Sequence, residues 1–423
     1  MKSNIKPALA IVGIFAALAL IISLGAKRLQ PATRPDSRGG QEPQIDIVSN
    51  YSQALEDYKQ NGLKGAWISY LEFLNMDFSS RESFKSDIQQ VFYNCKNIGL
   101  NTVIVHVRPF GDALYRSSFF PFSHIMTGVQ GKDPGFDPLL IMVEEAHRAG
   151  LRIEAWINPY RVKLGNAPGE LSYDNPRQSE ELLINMDGDL YYNPALPRVR
   201  DLVTDGVLEI VNNYQVDGIH FDDYFYPTTD KEIDEDYYRA YSGNLSQDDW
   251  RRENVNLLVR QVYAAVKGAK PAMIFGISPQ GNNDNNYDSQ YSDVKLWMSE
   301  SGYVDYIMPQ LYWGFNYETP SGSDRYAFGN ISREWAAYPR DKNVKLYIGI
   351  AAYRIGDGDG SASEKSDEEW NSGENLSRMI AVVKDSKKMD GYCIYRYDNL
   401  FVYGRYSNLQ QAEASAVAKV NRE

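Results

Sequence analysis

Only two cysteines, Cys95 and Cys393, occur among the 423 residues, and no CxxC spacing joins them. Zinc and dithiol redox chemistry are therefore not expected; the two fall in a predicted helix and a predicted strand, as buried free thiols. Histidine is nearly as scarce, with four residues and none paired at metal-ligand spacing, so neither a metal nor another cofactor is expected. Positive charge is in deficit, 44 Lys and Arg against 56 Asp and Glu, a net charge of -12. Phosphate backbones select clustered Lys and Arg, so a nucleic-acid partner is excluded, and the interspersed acids serve solubility.

One long uncharged run exists, ALAIVGIFAALALIISLGA at 8–26, preceded by Lys2 and Lys6. At about 1.5 Å per residue it spans roughly 28 Å, close to a bilayer core. Residues 1–26 therefore read as a signal anchor or signal peptide. The run is long for a cleaved signal and its best small-residue site is only Ser23 and Gly25, which favours the anchor. No cysteine follows that could carry a lipid. Residues 27–43, KRLQPATRPDSRGGQEP, form a flexible Pro/Gly/Arg-rich linker ahead of a domain at 44–423. The protein is expected outside the cytoplasm, on the periplasmic or extracytoplasmic side, touching the inner membrane only through this N-terminal segment.

What the chain has in abundance is tyrosine, 31 residues, alongside 7 tryptophans. Many lie near the ends of short apolar runs, where a flat face with a polar handle suits a sugar- or peptide-binding cleft. The runs at 64–70, 102–109, 152–160, 218–224, 274–280, 306–314, 345–353 and 391–399 read as strands. Helical stretches lie between them, among them 83–98, 137–150, 198–214 and 253–269. Eight βα units predict a closed α/β barrel, the (β/α)8 TIM fold. Helix-to-strand joints are tight, as in NIGLN and RAGLR, whereas the strand-to-helix loops at 162–196, 225–247, 281–292, 315–328 and 354–372 are long. The working face is thus expected at the carboxyl ends of the strands.

Side chains alternate across a strand. In GIHFDDY, Ile219 and Phe221 are expected outward and His220, Asp222 and Tyr224 inward; in RIEAWINPY, Ile153, Ala155 and Ile157 outward and Glu154, Trp156 and Asn158 inward. One mouth is expected to collect Arg108, Asn158, His220, Asp222, Gln310, Tyr312 and Arg396. A carboxylate among Arg, Asn and His suits a nucleophile, base or stabiliser of an oxocarbenium-like transition state, so Asp222 is assigned that role. Asp223 or Asp112 is the expected proton donor, with Arg108, Asn158, His220 and Gln310 orienting sugar hydroxyls. Tyr160, Tyr224, Tyr312, Trp313 and Tyr353 follow strands and are expected to stack on sugar rings. Glu154 reads as a buried structural acid paired with a base. The loop 356–369, GDGDGSASEKSDEE, has oxygen ligands at calcium-loop spacing but lacks the turn glycine, and reads as a solvated acidic loop.

These stretches resemble a known family. GAWIS, NTVIVHVRPFGDALYRSSFFPFSHIMTGVQGKDPGFDPL, EEAHRAGLRIEAWINPYRV, VDGIHFDDYFYP, SPQG, YIMPQLYW and YIGIAAYRI are similar, in order over about residues 64–353, to the glycosyl-hydrolase-like family ten, bacterial envelope enzymes. The resemblance implies a (β/α)8 barrel and hydrolysis of glycan strands, above all peptidoglycan glycans stripped of their peptides. It places the family's acidic motif on Asp222 and Asp223, its Gly-Asp-Ala-Leu-Tyr motif on Gly111 to Tyr115 and its Asn-Pro-Tyr-Arg motif on Asn158 to Arg161, which adds Arg161 to the substrate-binding residues. Glu154 and Phe110 depart from the pattern. DGIHFDD also resembles the fourth-strand motifs of chitinases, where Tyr224 replaces the catalytic glutamate, and of α-amylases, where Asp222 holds the nucleophile's place. Two other classes share these residues: an inactive glycan-binding protein that recruits partners to the wall, and a phosphoesterase holding Mg²⁺ on the paired aspartates, whose usual histidine and acid ligands are missing.

Overall fold

The computed structural model describes residues 47–172 and 180–423. The expected signal segment and linker lie outside the described residues, as does part of the 162–196 loop. Among the described residues no helix is long and apolar enough to cross a membrane.

Among the described residues eleven strands follow in chain order: β1 Leu63–Ile68, β2 Thr102–Arg108, β3 Arg152–Ile157, β4 Arg161–Lys163, β5 Leu183–Met186, β6 Asp189–Tyr192, β7 Gly218–Phe221, β8 Ile274–Ile277, β9 Tyr306–Ile307, β10 Lys345–Ala351 and β11 Gly391–Tyr395. Eight close into a parallel barrel in the order β1-β11-β10-β9-β8-β7-β3-β2. Each expected strand is there, and the four helical stretches appear as Arg81–Asn97, Pro138–Arg148, Pro197–Asn213 and Gln247–Ala269. Three of these helices start on side-chain caps: Ser80, Asp137 and Ser246 accept from the backbone N–H of Ser83, Leu140 and Asp249. Elements not expected include the helix Ile47–Asn61 and a small antiparallel sheet, β4-β6-β5, in the long loop that follows β3.

The expected strands overshoot at their carboxyl ends. Beyond Ile307, Gln310 makes only isolated bridges to Gln280 and Gly349 before the chain leaves the ladder. Those residues keep a strand-like composition because they line the mouth, where aromatic and polar side chains are wanted for another reason.

The outward faces, Val103, Val105, Ile153, Ala155, Ile157, Ile219, Phe221, Phe275, Ile277, Ile348 and Ile350, bury against the helices in one continuous core. The interior is a second cluster that includes Trp67, Ile104, Trp156, Tyr306, Met308, Tyr347 and Cys393. Both cysteines are free and buried. Large rings fit inside eight strands because glycines stand opposite them: a Cβ on Gly349 would lie 3.0 Å from the Trp67 ring, and one on Gly276 only 2.1 Å from Tyr306. Gly276→Ala must push Tyr306 off its hydrogen bonds to Glu154 (2.7 Å) and His220 (2.7 Å). We expect a loss of about 2–3 kcal/mol, read from the urea midpoint, whereas Gly329→Ala, with open space around its Cβ, should lose far less.

At the amino end of the barrel the helix Ile47–Asn61 acts as a lid. Tyr51 donates to Asp217, Tyr58 meets the Tyr347 hydroxyl at 2.7 Å, and Arg152 packs 3.7 Å from the Tyr58 ring. Glu154 is the buried structural acid expected, 3.4 Å from Arg152.

Candidate active site

β7 ends at Phe221, and the next two residues carry the acids. Asp222 continues the inward series and is 2 % exposed. Trp156 Nε1 donates to its Oδ2 at 3.0 Å, and Asn158 Nδ2 lies 3.3 Å from each oxygen. Burial and the neighbouring charge of Asp223 push its pKa up to about 7, against the opposing pull of Arg161 and the Trp156 hydrogen bond.

Asp223 sits past the end of the ladder, where strict alternation no longer applies. It is half-buried and accepts from Gln310 Nε2 at 3.0 Å, while the same amide nitrogen donates to the Ser278 carbonyl at 3.0 Å. Gln310 thus crosses from the β9 side to hold Asp223 at the mouth. Burial raises the Asp223 pKa, opposed by the Gln310 hydrogen bond. Two adjacent carboxyls whose pKa values are both raised resist double ionisation, since ionising one disfavours ionising the other.

Arg161 opens β4, three residues after Asn158. Its backbone N–H donates to Asn158 Oδ1 at 2.9 Å and its Nε to the Pro109 carbonyl at 2.9 Å. Its guanidinium lies 5.0 Å from the Tyr224 ring and 5.1 Å from Phe110. Across the opening, Tyr312 stacks on Tyr395 at 5.6 Å and meets Tyr353 edge-on at 5.6 Å. Trp313 turns to a different group, stacked 5.0 Å from Tyr326 and half-exposed. Tyr224 is 41 % exposed beside the acids.

Five of the expected site residues lie elsewhere. The β2–β3 register shifts between His106 and Arg108, so Arg108 leaves the inward series. It is fully buried 4.4 Å from Phe120, against Gly206 of the helix Pro197–Asn213. Tyr160 is fully buried in the outer core, 6.4 Å from Phe225, and offers no stacking face. His220 points inward but one layer too deep: it is fully buried, accepting at Nε2 from Trp67 Nε1 at 3.1 Å. An indole only donates, so Nδ1 carries the imidazole proton toward the Tyr306 hydroxyl, which in turn donates to Glu154. Burial lowers the His220 pKa to about 3, so it stays neutral as an internal strut. Asp112 is fully buried in the loop after β2, where its Oδ2 is engaged by His124 Nδ1 at 3.1 Å and Gln130 Nε2 at 3.0 Å. Arg396 lies just past the end of β11 and pairs with Glu72 at 2.7 Å and Asp398 at 3.4 Å.

Tyr395, Tyr70 and the hydrogen-bonding role of Trp156 were missed. Tyr395 was within reach of the alternation argument, two residues after the inward Cys393. Tyr70, which meets Phe110 at 5.4 Å, lies past the end of β1, where alternation gives no direction. In the loop 356–369, Asp359 accepts from the Gly314 N–H (2.7 Å) and the Ser366 hydroxyl (2.8 Å), an ordinary loop-ordering role.

The chain is similar to known proteins over most of this frame. Glycosyl hydrolase YngK of Bacillus subtilis is 35 % identical over 356 residues, covering 78 % of this chain and 67 % of that protein. Glycosyl hydrolase DigH of Escherichia coli K12 is 35 % identical over 335 residues, covering 72 % and 74 %. Among solved structures, the glycoside hydrolase domain of PgaB (BpsB) from Bordetella bronchiseptica superposes with a TM-score of 0.52 at 11 % identity, covering 85 % of this chain and 98 % of that one, which shows a shared fold. The Glycosyl hydrolase-like 10 profile matches residues 62–372, the span that contains both acids, Arg161 and Gln310, and the chain belongs to that family.

Proposed function

We propose that the protein is an exported glycoside hydrolase that cleaves cell-envelope glycan strands, peptidoglycan glycans without their peptides, at the Asp222–Asp223 pair. The run at 8–26 would carry the domain across the inner membrane and hold it there. The names of the curated relatives and the barrel shared with a glycoside hydrolase domain support the reaction class. One observation carries the reading: two adjacent carboxyls at a barrel mouth, both with pKa values pushed up by burial, an arrangement that favours one protonated and one ionised group.

Hydrolysis needs that state. One carboxyl passes its proton to the glycosidic oxygen as the bond to the anomeric carbon breaks. The other assists the new bond, and the proton of the incoming water returns to the pair. The products are a new reducing end and a new hydroxyl, with no change in oxidation state. Trp156 and Asn158 fix Asp222, Gln310 fixes Asp223, and Tyr312, Tyr353, Tyr395 and Tyr224 offer ring faces to the pyranoses.

Incubation with peptide-free glycan strands should release new reducing ends, with a bell-shaped pH profile. On the alkaline side the last proton leaves near pH 7 and no acid remains. On the acid side the pair gains a second proton and no base remains, at a pH above the ordinary carboxylate range. Strand binding without release of ends would instead mark a glycan-binding protein. A flat profile from pH 5 to 9 would remove the pair from the chemistry.

A further inference from the structure

Arg161 has a feature that hydrolysis of a neutral sugar does not use. The residue is only 6 % exposed, yet its two Nη groups make no hydrogen bond or ion pair among the described residues. Everything else about it is tied down. The backbone N–H is held by Asn158, Nε by the Pro109 carbonyl, and the guanidinium is flanked by Tyr224, Phe110 and, at 5.7 Å, Tyr70. With Nε engaged and rings on its faces, the Nη edge has one direction left to it.

The charges nearby do not satisfy that edge. Arg161 lowers the pKa of both Asp222 and Asp223 through space, while its own side-chain hydrogen bond goes to the Pro109 carbonyl and not to either carboxyl. The other cation near the mouth, Arg396, is neutralised by Glu72 and Asp398. A guanidinium that is otherwise buried and reaches solvent only along its unpaired Nη edge offers that edge to a ligand. Its planar fork matches a carboxylate, which it can take through two parallel N–H···O bonds.

We propose that Arg161 is the specificity-determining residue for a carboxylate borne by the sugar bound at the Asp222–Asp223 pair, so that the substrate is an acidic glycan. The proposal rests on the glycan reading above and narrows it. The physical need is mutual. An anionic sugar placed beside two carboxyls that carry a net negative charge is repelled, and the Arg161 fork offsets that repulsion where the substrate acid must lie.

The test reads binding, so it does not depend on turnover. The full chain carrying Asp222→Asn is equilibrated with peptide-free peptidoglycan strands, and with the same strands after carbodiimide activation and borohydride reduction of their carboxyls to alcohols. Affinity is read by co-sedimentation at low and moderate salt. We expect the reduced strands to bind about 10- to 100-fold more weakly, with the gap narrowing as salt rises. Adding Arg161→Gln should lower binding of the acidic strands to the level of the reduced ones. Arg161→Lys should restore part of the gap, because charge returns without the fork. Equal binding of acidic and reduced strands, or no binding of either, overturns the proposal, and needs no folded Arg161 variant. If the gap is present but the unsubstituted protein releases no ends, hydrolysis fails as the function while recognition by Arg161 stands. If Arg161→Gln weakens both polymers alike, the residue serves the aspartate pair and not the substrate acid, and the proposal falls.

Discussion

Asp222→Asn should lower the release of reducing ends by about 10³-fold or more while leaving the fold and strand binding intact. The substitution keeps size and shape, and the new amide oxygen can still accept from Trp156 Nε1, now 3.0 Å from the carboxylate. What disappears is the titratable proton and the negative charge that stabilises a developing oxocarbenium ion. The measurement is kcat on peptide-free strands, with thermal unfolding and co-sedimentation as controls. Asp112→Asn is the contrast. That carboxyl binds His124 and Gln130 within the loop after β2, so its loss should appear first as a lower unfolding temperature, with the pH profile of any remaining activity unchanged in shape. A tenfold or smaller effect of Asp222→Asn would move the chemistry away from the pair.

The second large effect is expected at the other end of the barrel. Arg152→Met should cost about 3–5 kcal/mol of stability, because it leaves two acids buried without their cation. Arg152 lies 3.4 Å from Glu154 and 3.9 Å from Asp217, and is itself 2 % exposed. Burial pushes the Glu154 pKa up even with Arg152 present. For Asp217 burial acts the same way, but His147, Arg152 and Tyr51 outweigh it and hold the carboxyl below its usual range. Removing the arginine raises both values, that of Glu154 still further above its ordinary range. A carboxyl whose folded-state pKa lies above its unfolded value destabilises increasingly as pH rises between the two. The loss should therefore be greater at pH 8 than at pH 5, read as the shift of the urea midpoint against the unsubstituted protein at each pH. Equal shifts would mean that packing of the long side chain on Tyr58, not its charge, is what the barrel needs.

Much of the mouth was legible because β-strand periodicity is geometric. The outward Ile219 and Phe221 placed Asp222 inward, and the outward Ile153 and Ile157 did the same for Trp156 and Asn158. The argument failed wherever the ladder was interrupted. One shift between His106 and Arg108 turned an expected sugar ligand into a buried packing residue. Depth failed too: alternation says that His220 faces the lumen, not that it lies a layer below the opening, beneath Asp222. Residues past a strand end have no alternation to follow, so Asp223 could be placed only once Gln310 was seen to reach it. Asp112 sits in such a loop, and its resemblance to a family motif carried no information about which way it points.

The linear chain by itself determined the barrel, its eight strands and four of its helices, and the end at which it works. Those depend on hydrophobic period and on loop length, which are written locally. It also determined that two acids stand at the tip of the fourth barrel strand. Only the tertiary structure decided that burial raises the pKa values of both Asp222 and Asp223, that Arg161 keeps an open edge beside them and that Arg396 does not. Raised pKa values and charge pairing depend on burial and on distances between residues far apart in sequence, here Trp156, Asn158 and Gln310, and no local pattern encodes those.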